Sequence, residues 1–136
     1  AMAQILAAPQ QPPLVLVIED DLLTGDLLHD ALCSQGYEVM VMRRSDGALR
    51  YLRQHTPCLI LLDVYMPVDV WAAFAFAYTA EPPPHAPIVV VSAEEDVRRH
   101  CRALTVAEYL DKPFDLDALF SLVGRYCSPA LAAPTP

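Results

Sequence analysis

Three short runs with almost no polar interruption, "LVLVI" at 14–18, "CLILL" at 58–62 and "IVVV" at 88–91, constrain this chain more than any other feature. Each is four or five residues long and rich in Val, Ile and Leu. A strand with one wet face alternates polar and apolar residues; a continuous apolar run fits a strand covered on both faces, as in the middle of a parallel sheet.

The intervening segments change period. Leu23, Leu27, Leu28, Ala31 and Leu32 recur with helical spacing and stop at Gly36, a natural helix end. "YEVMVM" has strand composition, and Ser45 is placed to cap a helix carrying Leu49 and Leu52, which Thr56-Pro57 closes. Residues 94–104 predict a charged helix and "EYL" a short fifth strand. Asp115 then caps a last helix whose Leu116, Leu119, Phe120 and Val123 share a face. In "VDVWAAFAFAYTAE", 68–81, the alternating FAFAY could be read as a strand, yet the alanines and the crossover required between parallel strands three and four predict a helix. Its expected inner face is Val70, Ala73, Phe74, Ala77 and Tyr78 with Trp71 at the border, leaving Ala72, Ala75, Phe76 and Thr79 outside. That outer face carries no charge. It reads equally as an interface with a second subunit, a kinase or a neighbouring domain, and as an alanine-rich surface with one exposed Phe76.

Five strand-helix alternations imply an α/β fold: one doubly wound, five-stranded parallel sheet with right-handed crossovers. With 136 residues, 54% hydrophobic and 19% charged, the chain has material for one core. The domain is expected over 14–127, between flexible tails at 1–13 and 128–136. A net charge of −8, with Lys and Arg never in runs longer than a pair, argues against direct nucleic-acid binding. No apolar run nears the roughly 18 to 20 residues that span a bilayer, and "AMAQILAAPQQPP" has no basic start, so no membrane association and a cytoplasmic location are expected. Cys33, Cys58, Cys101 and Cys127 show no CxxC spacing and are expected to be reduced core thiols. His29, His55, His85 and His100 lack the i, i+4 spacing of a helical metal site.

In such folds the carboxyl ends of the strands form the functional edge. Glu19 and Asp20 follow strand one, Asp63 ends strand three, Ser92 ends strand four and Lys112 follows strand five, so five polar groups converge there. Carboxylates brought together cost stability unless a divalent cation neutralises them, and oxygen-only ligands suit Mg2+. The ion would keep positions open for water or phosphate, with a lysine and a hydroxyl supplying complementary charge and hydrogen bonding. Such an edge suits phosphoryl transfer, and one carboxylate could be the acceptor. There is no GxxxxGK loop, so a nucleotide is not the expected ligand. Taken singly, Asp63 reads equally as a loop carboxylate, Ser92 also fits a helix cap and Tyr109 plain packing, while for Lys112 a surface lysine before a turn proline is the less favoured reading in this company; Asp21 fits the start of the first helix.

"VLVIEDD", "LILLDVYMP", "VVVSA" and "YLDKPF", in this order, resemble the receiver domain of two-component response regulators over residues 14–127. The resemblance implies a (βα)5 flavodoxin-like fold of strand order 2-1-3-4-5. It implies Asp63 as the phosphoacceptor, and Glu19, Asp20 and Asp63 with the Tyr65 backbone carbonyl as the Mg2+ site. It further implies Ser92 and Ala93 with Lys112 at the phosphoryl group, Tyr109 as an aromatic switch, and a cis bond before Pro113. The implied partner is a histidine kinase or phosphotransfer protein, with a homodimer or output partner beyond it. The sequence departs from the family at "VDVWAAF", which lacks the usual Asp-Gly turn, and at Thr105-Val106, which replaces a Gly-Ala pair; both put loop geometry in question. Three functions fit: a phosphoaccepting receiver, a degenerate receiver acting as a binding module, and a small aspartate-nucleophile phosphatase of the haloacid dehalogenase type. Against the last, Tyr65 stands where a second Asp is usual.

Overall fold

The computed structural model describes residues 11–63, 68–92 and 106–127. In chain order these form β1 (Leu14–Ile18), α1 (Leu22–Ser34), β2 (Glu38–Met42), α2 (Ser45–Leu52), β3 (Leu59–Asp63), α3 (Val68–Ala80), β4 (Ile88–Ser92), β5 (Glu108–Asp111) and α4 (Leu116–Tyr126). The helix expected over 94–104, residues 1–10 of the tail expected over 1–13, and the tail expected over 128–136 lie outside the described residues. All strand pairs are parallel and the order is β2-β1-β3-β4-β5. The apolar runs are the inner strands, as their composition requires: β3 and β4 are buried throughout and β1 all but its first residue. The outer strands β2 and β5 alternate in exposure.

Strand parity divides the core in two. Leu16, Ile18, Ile60, Leu62, Ile88 and Val90 pack against Trp71, Phe74 and Tyr78 of α3 and Ala48 of α2. Val15, Val17, Leu59, Leu61, Val89 and Val91 pack on the other face against Leu28 and Leu32 of α1 and Leu119, Leu122 and Val123 of α4. The second set continues past the strand ends: 15, 17, 19 and 59, 61, 63 place Glu19 and Asp63 side by side, because Ile18 is level with Leu62.

Helix starts follow local chemistry. Asp21 caps α1 by accepting from the Thr24 N–H, and Asp115 caps α4 by accepting from the Ala118 N–H, as expected. Ser45 does not cap α2; the N-cap position belongs to Arg44, without a side-chain bond, and Ser45 is already helical. α1 closes through Gly36 N–H to Cys33 O and Tyr37 N–H to Leu32 O, a pairing that requires the left-handed φ of 92° at Gly36. Among the described residues no non-glycine residue has positive φ, so the glycine-poor segment imposes no such strain there.

Four expectations are corrected. In α1 only Leu28 and Leu32 of the leucine set are buried; Leu23 and Leu27 are exposed, with Leu22 beside them. In α4 Leu116 is exposed and Leu122 takes its place in the core. In α3 the buried stripe is Trp71, Phe74, Ala75 and Tyr78, an i, i+3, i+4, i+7 set centred on the largest side chain, so Val70 and Ala73 face outward and Ala75 does not. Phe76 is 70% exposed as expected, and Ala72 and Thr79 are half-buried. Lastly, Cys58 and Cys127 are not thiols but a disulfide, with Cα atoms 5.6 Å apart, and Cys33 is free and exposed rather than in the core. Cys58 directly precedes β3 and Cys127 directly follows α4 on the same sheet face, a proximity that 69 positions of separation conceal. Cys101 lies outside the described residues.

The corrected α3 stripe separates two substitutions that the sequence placed on one face. Ala75→Lys puts a charge into a filled core and should cost about 3 kcal/mol or more. Phe76→Glu should change stability by less than about 1 kcal/mol. Urea midpoints of the two variants check this; equal effects would contradict the stripe.

Candidate functional site

The edge of the sheet is built by three strands of matching parity. Glu19 follows β1 and extends its pairing by donating its N–H to Met42 O at 2.9 Å. Asp63 ends β3. Lys112 follows β5 and continues the parity of Leu110, which is level with Val91, itself level with Asp63. The three meet. The Lys112 ammonium donates to Asp63 Oδ1 in an ion pair whose side chains are 16% and 1% exposed. Glu19 is fully buried beside Asp63, and its Oε1 accepts the Asp21 N–H at 2.9 Å.

The remaining oxygens, Glu19 Oε2 and Asp63 Oδ2, are buried and meet no donor among the described residues. Two ionised carboxylates cannot donate to one another, so each orphan needs a proton or a cation. The Glu19 carboxyl is accordingly pushed up to about 8, first by burial and then by the hydrogen bond it shares with Asp63 and the charge of that group. The Asp21 N–H and the Lys112 charge oppose this and do not overcome it. Without a cation, this direction favours a proton on Glu19, placed between the two orphan oxygens.

The donor set fits a small hard cation: oxygen ligands only, two of them unsatisfied, beside a lysine that limits how much positive charge is needed. Asp20 is exposed rather than folded into the pair, and lines an adjoining cleft of about 410 Å3 with Arg43, Arg44, Ser45, Asp46 and Val70. Among the described residues no three acidic, His or Cys side chains form a ligand group. A cation here would rest on Glu19 and Asp63, with Asp20 reaching from its exposed position and water filling the other sites, as Mg2+ permits.

Ser92 is buried at the end of β4, level with Asp111, and its carbonyl accepts the Lys112 N–H at 3.0 Å. Tyr109 lies on edge strand β5 level with Val90 and is 42% exposed. The Lys112-Pro113 bond is cis as expected, and a second cis bond, Pro83-Pro84, was not anticipated. Tyr65 and Ala93 lie outside the described residues.

Sequence reasoning missed Gly25. A Cβ there would meet Val41 Cγ1 at 3.1 Å, tighter than ordinary contact, and Glu19 Cγ at 3.8 Å, so the glycine lets α1 lie close against Val41 of β2 beside the buried acid. The signal was present: a glycine inside a helix costs about 1 kcal/mol against alanine and marks a close approach.

The Glu19 shift fixes a pH dependence for the cation-free protein. Below about 4.5 the group is protonated folded or unfolded and contributes nothing; between 4.5 and about 8 the unfolded chain releases a proton that the folded one retains. This contribution therefore weakens stability as pH rises through that window and levels off above it. In excess EDTA, Glu19→Gln keeps an acceptor for Asp21 and gains a donor for Asp63. It should flatten this decline and be more stable than the parent at pH 8 by on the order of 1–3 kcal/mol. Urea melts from pH 5 to 9 measure it; parallel curves for parent and variant would refute the buried proton.

Comparison with known proteins agrees with this geometry. Residues 15–124 match the family described as response regulator receiver domain. The chain is 34% identical over 122 residues to the DNA-binding transcriptional regulator NtrC of Bradyrhizobium sp. (strain RP501 Parasponia), covering 88% of this chain and 24% of that protein. It is 33% identical over 115 residues to the response regulator protein FleR of Pseudomonas aeruginosa, covering 82% of this chain and 24% of the relative. The chain thus spans about a quarter of the length of these relatives. Among solved structures, the receiver domain of the sensor histidine kinase PA1611 from Pseudomonas aeruginosa, with a magnesium ion in its active site cleft, superposes with a TM-score of 0.76. It is 24% identical, over 84% of this chain and 96% of that one. With the parallel 2-1-3-4-5 sheet and its acidic edge, these matches establish that the chain belongs to the receiver domain family of two-component response regulators.

Proposed function

We propose that this receiver is a working phosphoacceptor, with Asp63 as the acceptor and a histidine kinase or phosphotransfer protein as the phosphodonor. The observation that carries the reading is the state of Asp63: buried at the end of the central strand, one oxygen held by Lys112, the other met among the described residues only by the Glu19 carboxyl. A carboxylate oxygen of Asp63 attacks the phosphorus of a phosphohistidine. The P–O bond forms, the P–N bond breaks, and the imidazole leaves with the electron pair and takes a proton from solvent. Lys112 compensates charge on the transferred group, and burial excludes water from competing at Asp63.

Mg2+, bound by Glu19, Asp20 and Asp63, would neutralise the phosphoryl oxygens. Glu19 must ionise to bind it, so the shared proton leaves when the site is loaded. Ser92, one residue beyond the level of Asp63 on the neighbouring strand, is assigned the hydroxyl that meets the phosphoryl group, with the Ala93 amide beside it. Tyr109 is assigned the side chain whose exposure changes with phosphorylation. The domain is assigned to 14–127 and its action to the cytoplasm, through protein partners. No helix among the described residues is long and apolar enough to cross a membrane, and the net charge of −8 disfavours direct contact with nucleic acid.

Phosphoramidate with Mg2+ should add one acid-stable, base-labile phosphoryl group, as seen by intact mass. EDTA should suppress it, Asp63→Asn should abolish it, and Asp20→Asn should slow it by about ten-fold or more. Undiminished labelling of the Asp63→Asn variant would remove the acceptor assignment, and no labelling of the parent would favour a receiver that only binds.

A further inference from the structure

Phosphoryl chemistry at one end of the sheet has no use for the covalent bond at the other. Cys58 stands at the root of β3, where its N–H donates to Leu14 O at 2.8 Å, and Cys127 stands at the carboxyl end of α4. The disulfide joins them across 69 positions, and Asp63, Ser92 and Lys112 all lie inside the closed loop. Besides the disulfide, Cys127 itself is held by two backbone contacts: its N–H donates to Val123 O at 2.8 Å, and the Tyr37 hydroxyl donates to its carbonyl at 3.2 Å. The body of the helix has its own anchors in Leu119, Leu122, Val123 and the Arg125–Glu108 ion pair.

The two cysteines differ in exposure: Cys127 is 2% exposed, whereas Cys58 is half-buried with its Sγ 3.2 Å from Leu14 O, so Cys58 is the more accessible of the two. In a reducing cytoplasm, where the phosphoacceptor reading places this domain, protein disulfides are usually transient and redox-active rather than permanent staples. We propose that Cys58–Cys127 is a reversible thiol–disulfide exchange site for a thioredoxin-class dithiol, which fastens or releases the carboxyl end of α4. The dithiol's thiolate attacks Cys58 Sγ and forms a mixed disulfide; the Cys58–Cys127 bond breaks, and Cys127 leaves as a thiolate that takes up a proton. The second thiol of the donor then attacks the mixed disulfide and frees Cys58. Two electrons have passed to the protein, and the donor is left as a disulfide.

Release changes a defined part of the molecule. The loop constraint on the unfolded chain is lost, which lowers stability, while the buried leucines keep α4 docked. Cys127 loses its covalent tether to the root of β3, while Arg125 and Tyr126 keep theirs to Glu108 of β5. Cys33 is no competitor for the exchange: it sits exposed on α1, its thiol pushed up by burial and by the charge of Asp30.

The test uses the full chain, oxidised with oxidised glutathione. It is then treated with thioredoxin, its reductase and NADPH, and alkylated with iodoacetamide without denaturant. Cys58 and Cys127 should become alkylated only after the thioredoxin step, with Cys33 alkylated in both states as a control. Reduction should lower the melting temperature by about 10 °C and speed deuterium uptake at Cys127, and oxidised glutathione should reverse both. Cys58→Ala combined with Cys127→Ala should melt with the reduced parent and ignore thioredoxin; should that variant not fold, the reduced parent supplies the same comparison. Alkylation of both cysteines in the glutathione-oxidised protein, or alkylation only after denaturant is added, would overturn the proposal. Asp63 labelling by phosphoramidate, followed in parallel, tests the phosphoacceptor reading and leaves this one untouched.

Discussion

The contact on which the rest of this structure turns is the buried meeting of Glu19, Asp63 and Lys112. Two carboxyl groups taken out of water next to one another are unfavourable unless a proton, an ammonium or a metal ion balances them. Lys112 supplies one charge and reaches Asp63 only because β5 is the fourth neighbour along from β2, with its end one residue short of the lysine. Glu19 holds the proton that covers the remaining deficit. Sheet order, strand length and parity are thus all constrained by one electrostatic requirement: a slip of one residue in β1 or β3 would send its acid to the opposite face.

Three consecutive acids follow β1, and the fold gives each a separate task. Glu19 is buried and lends its carboxyl to Asp63; Asp20 stays in solvent at the mouth of the cleft; Asp21 caps α1 through Thr24, and Thr24 is also its hydroxyl donor at 2.5 Å. The cap and the site are coupled, because the Asp21 N–H is the donor that fixes Glu19 Oε1. Repulsion among the three is therefore smaller than their adjacency suggests: one is protonated, and the other two face water.

The sheet and the acid-lysine cluster were legible because both follow from strand parity, which a run of apolar residues displays directly. "LVLVI" and "CLILL" show where β1 and β3 end, and the acids are the next residues. Helix faces were less legible. α3 has apolar residues all round, so its periodicity does not choose an inward side; Trp71 and Phe74 do, by volume, and they carry Ala75 into the core with them. In α1 three leucines lie on faces the sheet does not reach. Gly25 was readable as a close approach, although not to which residue. The disulfide was not readable, since the distance between Cys58 and Cys127 is set by the whole βα succession between them and leaves no trace in spacing.

The distribution of stabilising and destabilising features along the sheet axis explains how the acidic edge is tolerated. At the carboxyl ends of the strands the structure keeps orphan oxygens and a proton that a metal can displace, which is a standing cost in the cation-free state. The middle of the sheet is three strands, apolar up to their carboxyl ends and covered on both faces. At the opposite end, β3 begins at a covalent bond to α4, and Tyr78 closes the other face with a neutral hydrogen bond: its hydroxyl accepts the Ala86 N–H at 2.7 Å just before β4. The unsatisfied acidic groups are thereby confined to one end, and the strand pairing that fixes their register runs through the apolar middle. Under the proposed phosphoacceptor role both are needed, because a phosphoryl group can redistribute contacts at the edge only if the strands that present Asp63 and Lys112 do not move relative to each other.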